Sequence, residues 1–175
     1  MRIVSCLFFL LFIFASSALA QVPNAWVRYT SDAGRYGILF PTEPKLSEQD
    51  AGGSGSLKFK QYLASSSIST GYFLVGYFDL GSGVTYSLDK GRDGVVNAVK
   101  GTLLSEESIS LNGKPGRALR VKARSANFDI IALARIYEIN GRIYVLQALT
   151  LDSESESTRL QLAKKFFDSF SVRDK

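Results

Sequence analysis

An α+β fold, with an antiparallel sheet and helices set apart from it, is predicted by three observations. Asn140-Gly141 separates two apolar, alternating runs, Phe128 to Ile139 and Arg142 to Thr150, and Asn-Gly in that setting is a strong hairpin signal. The other strand-like stretches also come in runs rather than alternating one by one with helices. Only two stretches carry a helical apolar stripe, one mid-chain and one at the end. Hairpins of this kind exclude an all-parallel sheet.

In chain order, Trp26 to Thr30 reads as a short strand, Ser31-Asp32-Ala33-Gly34 as a turn by residue type, and Arg35 to Phe40 as a second strand halted by Pro41 and Pro44. The polar, Gly/Ser-rich segment Glu48 to Ser56 is predicted to be a mobile loop. Leu57 to Leu63 alternates at period two, with Leu57, Phe59 and Gln61 on one face. Tyr72 to Asp79 is more continuously apolar, which predicts a strand buried on both faces.

A helix follows, with Ser87 as N-cap and Leu88, Val95, Val96 and Val99 on one stripe. Gly91 and Gly94 weaken its first turns by about 1 kcal/mol each relative to Ala. Four strands come next: Glu107 to Leu111, Arg117 to Arg124, Phe128 to Ile139 and Arg142 to Thr150, the first pair joined through Asn112 to Gly116. The closing helix has Ser153 and Glu156 as a capping box and Leu160, Ala163, Phe166, Phe167 and Phe170 as its buried stripe. Trp26 is expected to pack on the core.

The first twenty residues set the destination. Arg2 is a short positive region, Ile3 to Phe14 an apolar run of about a dozen residues, and Ala18-Leu19-Ala20 an A-x-A cleavage site before Gln21. The chain therefore divides into a signal peptide, 1–20, and a single domain, 21–175. An uncleaved anchor is the weaker alternative, because the run is short for a bilayer. Cys6 precedes the apolar run, which argues against lipidation. The only cysteine leaves with the leader, and no N-x-S/T sequon is present. A bacterial periplasmic or extracellular location is the expectation. The net charge of +5 is mildly basic and speaks for solubility, and export removes the protein from nucleic acid.

Composition also excludes chemistries. The chain has no histidine, and its domain has no cysteine, so neither a Ser-His-Asp triad nor a thiol nucleophile can be built. The usual zinc and copper ligand sets and a C-x-x-C redox motif are excluded with them. Asp89 to Gly94 imitates the start of an EF-hand loop, but the twelfth position is Lys100, where a bidentate acid is required. Gly81-Ser82-Gly83 lacks the third glycine of a dinucleotide loop. No catalytic residue, cofactor or metal site is assigned.

One charged pattern stands out. Arg120, Lys122 and Arg124 alternate with Leu119, Val121 and Ala123, so they share a sheet face, and Lys114 and Arg117 lie close in sequence. The solvated face of an antiparallel strand is the preferred reading. The functional alternative is a strip for an anionic partner: a membrane surface, an acidic polymer or an acidic protein.

Several short motifs then line up in order. They are Trp26-x-x-Tyr29, Gly34 to Pro41, Gly113-x-Pro115-Gly116-Arg117, Arg142-Ile143-Tyr144-Val145-Leu146, and Lys165 to Val172. This pattern resembles the PsbP-like superfamily, which includes the Mog-type Ran-binding proteins, and looks most like its exported bacterial members. The resemblance implies an α/β/α sandwich around a central antiparallel sheet. Plant-type members assist photosystem II and have been associated with manganese and calcium retention; Mog-type members bind a nuclear GTPase. No matching metal motif is present, and no functional residue carries over. The expectation is a non-catalytic binding or accessory module of the envelope, working through a protein partner. The alternative is a small-ligand or lipid carrier with a pocket between sheet and helix.

Overall fold

Two antiparallel meanders, joined along one seam, make the main sheet. The computed structural model describes residues 25–52, 58–81, 83–125 and 127–173. The segment expected to be a signal peptide cleaved after Ala20, and Gly53 to Leu57, lie outside the described residues. The first meander is β3 (Lys45–Gly52), β4 (Lys58–Ile68) and β5 (Gly71–Asp79). The second is β6 (Thr102–Leu111), β7 (Lys114–Ser125), β8 (Phe128–Ile139) and β9 (Arg142–Leu151). β5 pairs with β9, giving the order β3-β4-β5-β9-β8-β7-β6, with every pairing antiparallel.

A separate three-stranded sheet runs β1 (Val27–Ser31), β2 (Tyr36–Phe40) and β10 (Ser171–Val172), in the order β1-β2-β10. Helix α1 (Leu88–Ala98) leads into the second meander, and α2 (Glu156–Asp168) follows it. No helix among the described residues is long and apolar enough to cross a membrane.

Turn chemistry sets the register of the second meander. Asn112 and Gly113 have φ of 50° and 74°, and Asn140 and Gly141 have 52° and 76°. Asn tolerates this left-handed region and Gly enters it without a Cβ penalty, which is what a two-residue hairpin requires. The first hairpin is thus tighter than expected, since Lys114, Pro115 and Gly116 belong to β7. Arg35 also has a positive φ, 53°, so the turn claims it and β2 starts at Tyr36.

The two faces of the large sheet are covered unequally. On one face, α2 and the small sheet bury Phe73, Val75, Tyr77, Tyr144, Leu146 and Ala148 against Ile38, Phe40, Phe166 and Phe170. Trp26 packs there as expected, edge-on to Phe73 with ring centroids 5.4 Å apart. On the other face, α1 lies over β7 and β8 and buries Val95 against Leu119, Val121, Ala132, Ala134 and Ile136. The sandwich is therefore α/β/α, with a small sheet sharing the α2 layer.

The α2 face is closed by one clasp. Arg142 donates to both Asp79 carboxylate oxygens, at 2.6 and 2.7 Å, and to the Ala33 carbonyl at 2.7 Å. Its guanidinium also lies 4.7 Å from the Tyr77 ring centre. The Tyr144 hydroxyl donates to the Gly34 carbonyl at 2.9 Å. Together they pin the β1–β2 turn to the end of β5 and β9.

Four expectations are corrected. Lys45–Gly52 is a strand, so residues 48–52 are not loop. As a sheet edge, β3 needs backbone bonds on one side only, and its polar side chains stay in water. β5 is buried on one face, while on the other Tyr72, Leu74 and Phe78 are only half-buried. α2 is capped by Ser155, whose Oγ accepts from the Thr158 N–H at 3.1 Å, not by Ser153. Leu160 is 49% exposed, and the stripe runs through Leu162, Ala163, Phe166 and Phe167 instead. α1 does carry the expected Ser87 cap, with Lys90 N–H donating to its Oγ at 3.4 Å.

Candidate interaction surfaces

The β7 strip divides by parity. Lys122 and Arg120 sit opposite Ile131 and Leu133, and Arg124 sits opposite Asp129, all on the α2 side. Lys114 shares that side. Arg117 is out of phase and turns to the α1 side with Leu119 and Val121. The structure therefore groups four of the five basic residues and separates Arg117.

Most of the strip is neutralised in place. Arg120 donates to Glu156 at 2.6 Å and Lys122 to Asp152 at 2.8 Å; Arg124 stands 3.7 Å from Asp129. The hydrogen bond from Lys122 holds the Asp152 carboxyl below its usual range, and that from Arg120 does the same for Glu156. Lys122 is raised by the same bond. Arg135, which the sequence reading missed, extends the surface: it lies 4.8 Å above the Phe167 ring and 3.6 Å from Asp168. The alternation of β8, with Leu133 and Tyr137 on the same side, was the signal for it. Within the strip, Lys114 is the one basic residue with no ion pair among the described residues.

On the α1 side, Arg117 donates to Asp89 at 3.0 Å and pairs closely with Glu106. Arg92 bridges Asp93 at 2.8 Å and Glu106 at 3.1 Å. The acids that imitate a calcium loop are thus engaged with arginines, and the network fastens the start of α1 to β6 and β7.

A different surface emerges where α1 stops. Across β4, β5 and β9, the register places Leu63 beside Gly76 and Val145, Ser65 beside Leu74 and Gln147, and Ser67 beside Tyr72 and Leu149. All face the α1 side, where α1 makes its main contacts with β7 and β8. Leu63, Tyr72, Leu74, Val145 and Leu149 are consequently only half-buried. Leu63, Tyr72 and Leu74 pack against neither core. Every residue that these three strands place on this face is uncharged, from Phe59 to Ser67, Tyr72 to Phe78 and Ile143 to Leu151. Apolar and aromatic surface without charge is the composition of a protein interface centre rather than of ordinary solvated surface.

Two hollows lie at the surface. One of about 310 Å³ lies among Asn112, Lys114, Ile139, Asn140 and Val172, and one of about 370 Å³ among Asn127, Phe128, Asp129, Leu151, Asp152 and Ser153. Both sit at strand ends.

No family model and no curated protein matches the chain. Solved structures do. The cyanobacterial PsbP protein CyanoP of Synechocystis sp. PCC 6803 superposes with a TM-score of 0.57 at 14% identity, over 92% of this chain and 99% of that one. PA94 of Pseudomonas aeruginosa, a protein of unknown function, superposes with a TM-score of 0.50 at 13% identity, over 86% of this chain and 99% of that one. At such identities the likeness is one of architecture, and it agrees with the order of strands, helices and tight hairpins described above: the chain has the PsbP-like α+β fold.

Proposed function

We propose that the protein is an exported, non-catalytic binding module of the cell envelope that acts through a protein partner. The half-covered, charge-free face over β4, β5 and β9 is the observation that carries this reading. The exposed parts of Leu63, Tyr72 and Leu74 forgo roughly 25 cal/mol for each Å² of apolar area, and a protein surface of similar character recovers it. The fold likeness supports the same reading, and the N-terminal leader supports export.

The test is a photo-activated cross-linker placed at Leu74 in cells expressing the full chain, with the same group at exposed Lys164 as control. A protein adduct specific to Leu74, lost when Leu149→Lys puts a charge on the face, supports the proposal. Equal labelling from both positions, or none from Leu74, defeats it. Mass spectrometry of the exported chain tests the leader: an N-terminus at Gln21 is expected.

A carrier of small apolar molecules is the second reading, and the aromatic series Phe59, Phe78 and Tyr86, with ring centres 5.3 and 6.1 Å apart, favours it. Native mass spectrometry that shows a co-purifying lipid would support that reading. Contact with an anionic surface falls to Lys114 and Arg124, the strip members with the weakest claims on neighbouring acids.

A further inference from the structure

The two helical layers are fastened unequally, and we infer that α1 is a lid, latched by Glu106, that lifts from the sheet as a unit while the rest of the fold stays closed. The lid is a property of the chain alone and requires no partner.

α2 buries Arg159, Leu162, Ala163, Phe166 and Phe167, whereas α1 buries Val95 alone. Leu88, Val96 and Val99 of and beside α1 reach the sheet only in part. Stabilisation scales with the apolar area withdrawn from water, so α1 is held more loosely than α2. Segments with few buried apolar contacts open at the low end of a protein's range of local stabilities.

The helix is also weak in itself. Gly91 and Gly94 both lie inside α1, and each costs about 1 kcal/mol relative to alanine. Packing explains Gly91, since a Cβ there would meet the Tyr86 hydroxyl and come 2.9 Å from its ring. Nothing explains Gly94 in that way: no atom lies within 4 Å of where its Cβ would stand. Alanine would fit at 94, so the helix is weaker than its surroundings demand.

Charge secures what packing does not. Arg117 donates to Asp89 at 3.0 Å, Arg92 donates to Glu106 at 3.1 Å, and Arg117 also pairs with Glu106. Glu106, on β6, thus stands between one guanidinium from the lid and one from the sheet. The connections leave room for movement. Residues 84–87, before α1, have no regular structure. After it, Lys100 has a φ of 50°, and Gly101 is fixed to the sheet: a Cβ there would lie 2.5 Å from Val121 and 2.7 Å from the Lys122 carbonyl oxygen. Gly101 is therefore the fixed point about which α1 turns. Lifting α1 joins Leu119, Val121 and Ala134 to Leu63 and Leu74 in one apolar face.

Native-state hydrogen exchange, read by NMR on the protein expressed from its full sequence in low urea, tests this. In the wild type, the amides of residues 92–99 exchange through an opening that responds little to urea, while those of β8 and α2 follow global unfolding with its full urea slope. Glu106→Gln lowers protection of the α1 amides at least about tenfold, as when charged donors lose their acceptor. Leu162→Ala, in the opposite layer, lowers protection in β8 and α2 at least about thirtyfold, the counterpart of about 2 kcal/mol, and leaves α1 unchanged. Amides of α1 that share the urea slope of β8, or that fall together with β8 in Leu162→Ala, overturn the inference. Unchanged α1 protection in Glu106→Gln overturns the latch. The urea slopes of the wild type decide the question should either variant misfold.

Discussion

Arg142 holds Asp79 through two parallel hydrogen bonds, although Arg142 is almost fully buried and Asp79 is mostly in water. The pair is unequal. Removing Asp79 strands a buried guanidinium, whereas removing Arg142 only returns a carboxylate to solvent. We expect Asp79→Asn to cost about 1–3 kcal/mol, the range for leaving a buried charged donor short of its acceptor, measured by urea unfolding. The pH dependence follows from the Arg142 hydrogen bond, which holds the Asp79 carboxyl below its usual range. A carboxyl lowered on folding stabilises the native state above its unfolded pKa, near pH 4, and that contribution fades as pH falls through the folded value. The gap between wild type and Asp79→Asn is thus constant above about pH 5 and narrows below about pH 4. A gap that widens on acidification contradicts this account.

Gly116 passes beneath the Tyr137 ring. A Cβ at that position would lie 2.5 Å from the ring and 2.7 Å from the Ile136 carbonyl oxygen. Tyr137 cannot swing aside, because it stacks on Phe170 at 6.2 Å with the planes 10° apart. Gly116→Ala is expected to destabilise by about 1–3 kcal/mol, as overpacking does, read as a lower urea midpoint at unchanged slope.

The face of α2 that meets the sheet is testable by pairs of variants. Phe166 is fully buried among Phe40, Phe73 and Phe167, and Phe166→Ala should cost about 3–5 kcal/mol. Leu162→Ala should cost about 2–5 kcal/mol. Leu160→Ala should fall within about 0.5 kcal/mol of wild type, because that side chain is in water. Chemical denaturation of the three variants distinguishes this arrangement from the stripe expected through Leu160.

The ion pairs of the β7 strip are solvated, so Arg120→Ala with Lys122→Ala should leave the melting temperature nearly unchanged. Whatever stabilisation the two pairs supply is present above about pH 4 and disappears below it, since Asp152 and Glu156 are lowered by these partners. Differential scanning calorimetry at pH 7 and pH 3 checks both statements. A large loss at pH 7 would show that these side chains hold α2 to the sheet.

What the sequence revealed follows a physical rule. Asn140-Gly141 and Ser87 were legible because their signals act within a few residues, through a left-handed turn and a side-chain cap. β3 was hidden because an edge strand with both faces near water shows no alternation, and Lys45–Gly52 has the composition of a loop. Ser153 and Ser155 are chemically equivalent caps, and only the path of the preceding loop selects between them. Parity already separated Arg117 from Arg120, Lys122 and Arg124, three residues being an odd step along a strand. The half-covered face was beyond reach, since it depends on α1 making its main contacts with β7 and β8. The sequence shows each strand of that face but not which strand remains uncovered.

The seam between β5 and β9 has a consequence for assembly. Asp79 and Arg142 meet across it from 63 positions apart, while each meander is stitched by connections local in sequence. β2 and β10 make a second seam between the same two portions of the chain. A break in the segment that leads from β5 to α1 would leave β1 to β5 on one fragment and α1 to β10 on the other. Each fragment keeps its own hairpins and lacks the other's edge. Such halves are built for fragment complementation: mixed in solution, they can rejoin along both seams at once.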